Sequence, residues 1–550
     1  MASTKLILVS VAAFAVAFAA LHLGFFNRSR LSDLPVYERY GDAVVRGHRV
    51  PYRDFSVEYP PGALPFFVVP SAVAGPGHYV RYRIVFEAGL FVCGALATAL
   101  AAAVLLREPG PPRRRLVRAL LVGLAPLALG SVVLSRFDLW PALLTVAGVA
   151  ALLARRPRLG LAALGLGFAA KIYPGVLVPI ALAYVWRRRG RREAVICGAI
   201  AAVVAVAVFL PFVALAPHGV WESLAGQLSR PLQIESLGSG FLLAAHQTWG
   251  LPIAKVTSHG SDNLAGSLPH AVATAQGVLA PLALLALWVA FARGPATRER
   301  LLRFSAAAVC TFIVLSKVLS PQYLVWLIPL VPLVRGRRGA AATALLVCSL
   351  VLTQLWFPRR YLDLAFAFDP RASWLVLARD LVLAALVLVL LFARLRALVA
   401  VVVAAAAAAI GAAAAGVSAP GAPVHTNVLG RTAAASSCRK KPKTPHVRVR
   451  TVRYAVHGFE NASGGGRCVT VTVRAASTQR LFSAAYAEDF DPVNPGRNYL
   501  GNGGGCTAPG RPTLTYSFRV PPRTRFAIDV EQCSSNRTTP RYALHVSPAA

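Results

Sequence analysis

The sequence has few acidic residues and very few lysines. It contains 22 Asp and Glu residues against 58 Lys and Arg residues, which gives a formal net charge of +36, and only seven of the basic residues are lysines. A charge of this size can indicate nucleic-acid binding. Here the basic residues form short arginine clusters between apolar runs, which is the distribution that the positive-inside rule produces. The sequence therefore argues against a nucleic-acid partner.

Charged residues of both signs make up only 15% of the 550 residues, and hydrophobic residues make up 56%. Apolar runs of about 20 residues recur along the chain, as in membrane-spanning helices. The sequence thus predicts a polytopic α-helical membrane protein with a polar C-terminal tail. Because basic clusters mark the cytoplasmic side, we expect that side to hold the clusters at 107–118, 155–158, 187–192, 293–303, 335–338 and 394–396.

The loops 27–78 and 217–270 are richer in acids and aromatic residues than the arginine clusters, and we expect them outside. Counting apolar runs then predicts about 13 crossings, with the N-terminus inside and the C-terminus outside. A signal peptide is the alternative for the first run, although its apolar core would be long. The runs are 5–26, 79–106, 116–135, 139–154, 159–186, 193–215, 271–292, 304–334, 339–357, 373–393 and 397–416.

Two of these runs, 159–186 and 304–334, begin and end beside arginine clusters. Neither is long enough for two full membrane helices of about 20 residues each. We therefore expect two short hairpins whose tips carry Lys171 and Lys317. A lysine at membrane depth needs a partner or a role, and we expect both to face one phosphate group. The alternative is that each lysine extends to the membrane surface.

The first outer loop combines carboxylates with tyrosines. A carboxylate near a positive site can serve as a general base toward a sugar hydroxyl, and arginine binds phosphate. The mixture of acids and aromatic residues favours a folded loop over a solvated linker. The residues concerned are Asp33, Glu38, Asp42, Asp54 and Glu58, among Tyr37, Tyr40, Tyr52 and Tyr59.

Six short motifs occur in a characteristic order along the chain: DLPVY at 33–37, YPP at 59–61, RFDL at 136–139, KIYP at 171–174, RPLQIES at 230–236 and SPQY at 320–323. Together they resemble glycosyltransferase family 87, over roughly residues 5–395. This family comprises polyprenyl-phosphate-sugar-dependent mannosyl- and arabinofuranosyltransferases of actinobacterial envelopes, with the GT-C architecture.

The resemblance implies that Asp33 is the catalytic base and that the sugar donor is a polyprenyl phosphate. It implies inversion at the anomeric carbon, no metal, no cofactor, and an envelope glycan or lipid acceptor. The arginine clusters, by marking the cytoplasmic side, place the site on the outer side of the plasma (inner) membrane. His246 or His270 is a candidate second catalytic residue. The candidate substrate-binding residues are Tyr37, Arg53, Glu58, Tyr59, Arg136, Asp138, Lys171, Tyr173, Arg230, Glu235, Lys317, Gln322 and Tyr323. Of these, Lys171, Lys317, Arg230 or Arg136 would contact the phosphate.

The C-terminal tail has a different pattern. Residues 417–445 are rich in Ala, Gly and Pro and read as a linker, while residues 446–550 alternate as β-strands do and predict an outer β-sandwich. Four cysteines in an outer domain predict two disulfides, with three pairings possible. Zinc is the alternative, but no CxxC spacing supports it. These cysteines are Cys438, Cys468, Cys506 and Cys533.

Two other functions remain open at this point. A transporter or flippase of lipid-linked sugars would share the basic sites and the broken helices. A structural protein that anchors the envelope would leave the acidic loop and the two lysines without a purpose. The acid-rich loop directly after the first helix favours the glycosyltransferase.

Overall fold

The computed structural model describes residues 2–23, 26, 32–392, 396–415, 424–429, 434–439, 447–461, 463–475, 480–491, 495–508, 511–533 and 542–548. The chain divides into two compact units. The first, here called the helical unit, comprises Met1–Leu242, Ile253–Pro358 and Trp374–Ala414. The second, here called the β unit, comprises Leu243–Pro252, Arg359–Ser373 and Ala415–Ala550.

Helices dominate the chain up to residue 415. They are α1 (Ala2–Ala20), α2 (Leu34–Val45), α3 (Pro65–Ala74), α4 (Tyr79–Leu106), α5 (Pro112–Leu129), α6 (Val132–Ser135), α7 (Leu139–Leu153), α8 (Pro157–Ala170), α9 (Val178–Arg189), α10 (Arg191–Leu215), α11 (Pro217–Leu228), α12 (Leu237–Trp249), α13 (Ser267–Arg293), α14 (Arg298–Leu315), α15 (Gly336–Trp356), α16 (Tyr361–Ala367), α17 (Pro370–Leu391) and α18 (Arg396–Ala415).

Five helices in the described part of the chain are long and apolar enough to cross a membrane: α4, α10, α13, α15 and α17. Only 11% of the apolar window of α10 and 22% of that of α13 is buried inside the protein. Apolar side chains left uncovered in this way suit helices that face lipid. The protein is therefore a membrane protein, and the predicted count of 13 crossings is not confirmed. Residues 393–395, in the last basic cluster, lie outside the described residues.

The run 159–186 turns back on itself. Helix α8 ends at Lys171, whose backbone is extended (φ −162°, ψ 135°), and a 3-10 turn at Tyr173–Leu177 leads into α9. At the other end, Arg189 Nη2 donates to the carbonyl of Arg155 (2.7 Å) and Arg158 pairs with Glu193 (2.9 Å). Because α8 has 14 residues, Lys171 lies about 20 Å from this end of the hairpin.

The run 304–334 also has its two ends together. Arg298 at the start of α14 and Arg335 after the return segment both pair with Glu108, at 3.6 and 3.0 Å. The return segment contains 3-10 turns at Pro321–Trp326 and Val331–Leu333 in place of an α-helix. Proline explains this difference, because it removes a backbone donor and clashes with the preceding helical turn.

The described part of the loop 27–78 is folded, whereas its residues 27–31 lie outside the described residues. It contains α2, a 3-10 turn at Pro61–Ala63, and α3. Tyr37 of α2 stacks on Phe67 of α3 with ring centroids 4.5 Å apart. Asp42 accepts hydrogen bonds from Ser71 Oγ (2.8 Å) and from the backbone of Gly77 (2.9 Å), which ties the end of the loop to α2.

The loop 217–270 contains α11, α12 and a small antiparallel sheet of three strands, β1 to β3, in which β3 is the central strand. Its strands are β1 (Leu232–Gln233), β2 (Ala254–Ser258) and β3 (Ser261–Ala265), with Leu232 opposite Leu264. The backbone of Gln233 donates to the carbonyl of Lys317 (2.9 Å). The sheet is thereby joined to the tip of the second hairpin.

The C-terminal region is a sandwich of two antiparallel sheets, in the orders β4-β5-β10-β7-β8 and β11-β6-β9. Valines of β6 pack with Phe526, Ile528 and Val530 of β10 in its core. The disulfides are Cys438–Cys468 and Cys506–Cys533. The strands are β4 (Val424–Leu429), β5 (Val447–Asn461), β6 (Arg467–Ala475), β7 (Leu481–Ala487), β8 (Tyr499–Asn502), β9 (Thr513–Val520), β10 (Thr524–Gln532) and β11 (Tyr542–Pro548).

The β structure thus begins before residue 446. Strand β4 lies inside the segment 417–445, which the sequence suggests is a linker, and pairs with β5. A short strand flanked by Ala, Gly and Pro gives little sequence signal, because its pairing with β5 rather than its own pattern defines it. Residues 417–423, 430–433 and 440–445 of this segment lie outside the described residues.

Candidate functional site

Asp33 lies directly before the first turn of α2, where Pro35 starts the helix. Its Oδ2 is 2.8 Å from Nε of Arg136, and one third of its side chain is exposed. The hydroxyl of Tyr37, one turn along α2, donates to the same oxygen at 3.5 Å. Arg136 is buried in extended backbone between α6 and α7. The carboxylate is therefore accessible and held next to a fixed positive charge.

Asp138 and Lys171 form a second ion pair. Lys171 Nζ is 2.6 Å from Asp138 Oδ1, and the side chains are 14% and 1% exposed. Trp326 Nε1 donates to the same oxygen at 2.7 Å. The other oxygen, Oδ2, is buried and has no hydrogen-bond partner in the part of the chain that the structure describes. A buried carboxylate oxygen normally has a hydrogen-bond partner. This oxygen is therefore an acceptor that the described residues leave available to a ligand.

Aromatic rings enclose the ammonium group of Lys171. Its Nζ lies 4.8 Å from the ring centroid of Phe137, 5.2 Å from Trp326 and 5.4 Å from Tyr323, within the range of cation–π attraction. Tyr173 and Tyr323 stack on Trp326, with centroids 3.9 and 4.2 Å away. The first and second hairpins thus meet at this point of the helical unit.

The motif Arg136-Phe137-Asp138 connects the two ion pairs. Arg136 reaches Asp33 and Asp138 reaches Lys171. Phe137 lies between them, edge-on to Tyr37 (5.8 Å) and Tyr59 (5.1 Å). The two tyrosine hydroxyls are 3.4 Å apart. Together, Asp33, Tyr37, Tyr59, Arg136, Phe137, Asp138, Lys171, Tyr173, Tyr323 and Trp326 are called the central cluster below.

Glu58 and Arg230 lie beside each other at the edge of the loops. Burial raises the pKa of Glu58, and the positive charge of Arg230 opposes that rise. Gln227 joins them, since its amide donates to the carbonyl of Glu58 (3.0 Å) and its oxygen accepts from Arg230 Nη1 (3.1 Å). Arg230 also donates to Ser261 Oγ (3.3 Å). The guanidinium group of Arg230 is therefore positioned by its contact with the first residue of β3.

Glu235 is a buried acid that the sequence places among the binding residues. Burial raises its pKa to about 8, against the opposing charge of Arg379. Its Oε2 is buried without a hydrogen-bond partner among the described residues. Arg379 Nη2 donates to the carbonyl of Glu235 (2.7 Å), and Arg379 pairs with Asp380 (2.6 Å), both side chains being fully buried.

Trp326 and the Arg379–Asp380 pair are not among the site residues predicted from the sequence. Two adjacent charges inside the apolar helix α17 are a visible signal, because such residues rarely lie in a membrane helix without a partner. Trp326 carries a weaker signal, because only its position three residues after Tyr323 connects it with the predicted tip.

Several predicted residues do not join the central cluster. Arg53 pairs with its neighbour Asp54 (2.9 Å) and is half exposed. Lys317 Nζ donates to the carbonyl of Leu228 (2.5 Å), so the two hairpin lysines have different partners. Gln322 is half-buried in the 3-10 turn of the second hairpin.

The two candidate histidines also lie elsewhere. A ring nitrogen of His246 is 2.7 Å from the carbonyl of Leu251, at the end of α12, and His270 is exposed. Among the described residues, no group of three His, Cys, Asp or Glu side chains is placed to hold a metal ion.

The fold and the central cluster define a membrane protein with a partly exposed carboxylate, Asp33, that pairs with Arg136 close to the Lys171–Asp138 pair. The model of glycosyltransferase family 87 matches residues 57–321. This match confirms the resemblance that the motifs indicate and supports a glycosyltransferase. Of the predicted catalytic and substrate-binding residues, Asp33, Tyr37, Arg53, Gln322 and Tyr323 lie outside the matched residues.

Solved structures that are similar to this chain include those of two other proteins. One is ArnT from Cupriavidus metallidurans, in a crystal structure bound to undecaprenyl phosphate, with 16% identity, a TM-score of 0.40 and coverage of 75% of each chain. The other is the arabinosyltransferase EmbB from Mycobacterium smegmatis, solved by cryo-EM, with 12% identity, a TM-score of 0.34 and coverage of 99% of this chain and 64% of that chain. No curated protein sequence matches the chain.

Proposed function

We propose that the protein is a membrane glycosyltransferase with the GT-C architecture that takes a sugar from a polyprenyl-phosphate donor. The sugar is mannose or arabinofuranose, and the acceptor is a glycan or glycolipid of the cell envelope. The observation that carries this proposal is the position of Asp33, whose carboxylate is one third exposed and lies 2.8 Å from Arg136. In the RFD motif, only Phe137 separates Arg136 from Asp138, which pairs with Lys171.

In this reaction Asp33 acts as the general base. It removes the proton from an acceptor hydroxyl, and the oxygen attacks the anomeric carbon from the side opposite the phosphate. The bond from the anomeric carbon to the phosphate oxygen breaks, the polyprenyl phosphate leaves with the electron pair, and the configuration inverts. Negative charge develops on the leaving phosphate, and fixed positive charge nearby stabilises that transition state.

Arg136 and Lys171 are the cations we assign to the phosphate. A lysine ammonium has three donors and Arg136 has five, and among the described residues Lys171 uses one of its donors on Asp138 (2.6 Å). Asp138 and Trp326 act as positioning residues that hold the ammonium in its aromatic surroundings. Tyr59 and Tyr323 offer ring faces or edges to a sugar, and Arg230, Glu58 and Glu235 border the same loops.

The orientation follows from the same argument. The basic end of the first hairpin lies about 20 Å from Lys171, and we place the basic ends of both hairpins on the cytoplasmic side. The central cluster then faces outward from the plasma membrane, and we assign the C-terminal sandwich to the outside on a separate ground. Two disulfides in the sandwich agree with an oxidising location.

The test compares two substitutions of the same kind in the same loop. Asp33 and Asp54 are both partly exposed and each pairs with an arginine, at 2.8 and 2.9 Å. Asp33→Asn should lower sugar transfer by about 10²–10⁴-fold with donor binding retained. Asp54→Asn, the matched control, should leave transfer within about twofold, since exposed ion pairs contribute little. Full transfer by Asp33→Asn would overturn the proposed role of Asp33.

A further inference from the structure

A basic cavity lies at the end of the helical unit that is opposite to the central cluster. It has a volume of about 400 Å³ and is lined by Arg155, Arg188, Arg189, Arg298 and Tyr184, and none of the described residues that line it is acidic. Ligand-binding cavities commonly measure about 300–1,000 Å³. The cavity is formed where α7, α9 and α14 begin or end.

Backbone carbonyl groups hold three of these arginines in place. Arg188 Nε donates to the carbonyl of Ala296 (2.8 Å), Arg189 to Arg155 (2.7 Å), and Arg298 Nη1 to Leu153 (3.1 Å). These bonds fix the guanidinium groups without neutralising them. The side chain of Arg155 makes no hydrogen bond or ion pair in the described ranges of the chain.

The acids near the cavity are already engaged. Glu108 lies 3.6 Å from Arg298 but only 3.0 Å from Arg335, and Arg298 Nη2 is buried without a hydrogen bond among the described residues. Glu193 pairs with Arg158 at 2.9 Å. Of the four guanidinium groups, Arg298 shares Glu108 with Arg335, and Arg189 lies near Glu193, whose hydrogen-bonded partner is Arg158. Converging arginines of this kind favour an anion with several oxygen atoms, such as a phosphate ester.

The position of the cavity indicates where the phosphate comes from. Trp186, one turn before the cavity arginines on α9, is 57% exposed, as is Leu159 at the start of α8. Tryptophan is enriched at membrane–water interfaces, and arginine is enriched on their cytoplasmic side. Basic pockets between helices at this level suit lipid head groups.

We propose that this cavity binds the phosphodiester head group of an anionic phospholipid of the cytoplasmic leaflet. The site is separate from the central cluster, since α8 alone sets the two about 20 Å apart. Its existence does not depend on the proposed glycosyltransferase reaction.

The experiment measures lipid binding to the delipidated full-length protein in detergent by native mass spectrometry. The probes are phosphatidylglycerol, phosphatidylcholine and inorganic phosphate. The wild-type protein should bind phosphatidylglycerol at least tenfold more tightly than phosphatidylcholine and should not bind inorganic phosphate with similar affinity. Equal binding of the two lipids, or equally tight binding of inorganic phosphate, would overturn the proposal.

Variants locate the binding. The double variant R188Q/R189Q should bind phosphatidylglycerol about thirty-fold more weakly, since each arginine near an anionic lipid contributes a factor of about five. Arg155→Gln, which breaks no hydrogen bond between helices, should weaken binding about fivefold. R191Q/R192Q removes the same charge from exposed positions at the start of α10 and should leave binding unchanged. Equal weakening in this control would overturn the assignment to the cavity.

Discussion

Breaking the Lys171–Asp138 ion pair should destabilise the helical unit strongly. The two side chains are 14% and 1% exposed, and their charged atoms are 2.6 Å apart. Removing one partner of a buried pair leaves the other charge buried and costs about 3–5 kcal/mol. Removing both charges together leaves neither uncompensated. Asp138→Asn, Lys171→Met and their double variant therefore form a double-mutant cycle. We predict that the double variant loses less stability than the sum of the two single variants.

The remaining contacts of each charged group determine which single variant loses more stability. After Asp138→Asn, the amide oxygen still accepts from Trp326, and the ammonium of Lys171 still faces three rings, so we expect about 3 kcal/mol. After Lys171→Met, the carboxylate of Asp138 keeps only the indole donor, so we expect a cost nearer to about 5 kcal/mol. The double variant should lose less than the sum by about 2 kcal/mol or more.

The assay is reversible unfolding in mixed micelles by added sodium dodecyl sulfate, followed by circular dichroism. The matched control is the exposed pair Arg53–Asp54, where Arg53→Met and Asp54→Asn should show little coupling. Single variants that add within about 0.5 kcal/mol, or a Lys171→Met protein as stable as the wild type, would refute the view that this pair organises the cluster.

Two further predictions concern other parts of the chain. Because burial raises the pKa of Glu235 from 4.5 to about 8, the folded protein holds a proton that the unfolded chain releases, and stability should fall as pH rises from about 4.5 to 8. Glu235→Gln should make stability depend less on pH in thermal melts at pH 5, 6.5 and 8. A variant with the same pH dependence as the wild type would contradict this prediction. The disulfides Cys438–Cys468 and Cys506–Cys533 close loops with sequence separations of 30 and 27 residues. Loss of either disulfide, as in Cys506→Ser with Cys533→Ser, should therefore lower the free energy of unfolding of the β unit by about 3–4 kcal/mol. In intact cells, thiol reagents should label these cysteines only after reduction, and labelling without reductant would contradict their pairing.

The arginine clusters made the hairpins predictable from sequence. A run bounded on both sides by arginines has both ends on the same side of the membrane, and the contacts of Arg189 with Arg155 and of Arg298 and Arg335 with Glu108 bring those ends together. The number of crossings was less predictable. Apolar composition does not reveal that prolines convert residues 321–333 into 3-10 turns or that α7 has only 15 residues.

The candidate site was predictable in its residue types but less so in its pairings. The acid after the first helix, the RFD motif and Lys171 all meet in the central cluster. Their partners depend on tertiary contacts over long separations: Asp138 and Trp326 are 188 residues apart in sequence. For the same reason the sequence left the disulfide pairing open, and it placed Lys317 beside Lys171, whereas its ammonium contacts the carbonyl of Leu228.

The most direct test of the central claim is sugar transfer by the purified protein. The full-length chain in liposomes would be incubated with polyprenyl-phosphate mannose or arabinose, labelled in the sugar, together with an envelope extract as acceptor. We predict that the label leaves the lipid and appears in the extract with one of the two donors, and that Asp33→Asn abolishes this transfer. Label that crosses the bilayer still attached to its lipid, without transfer from either donor, would contradict the account and indicate a flippase.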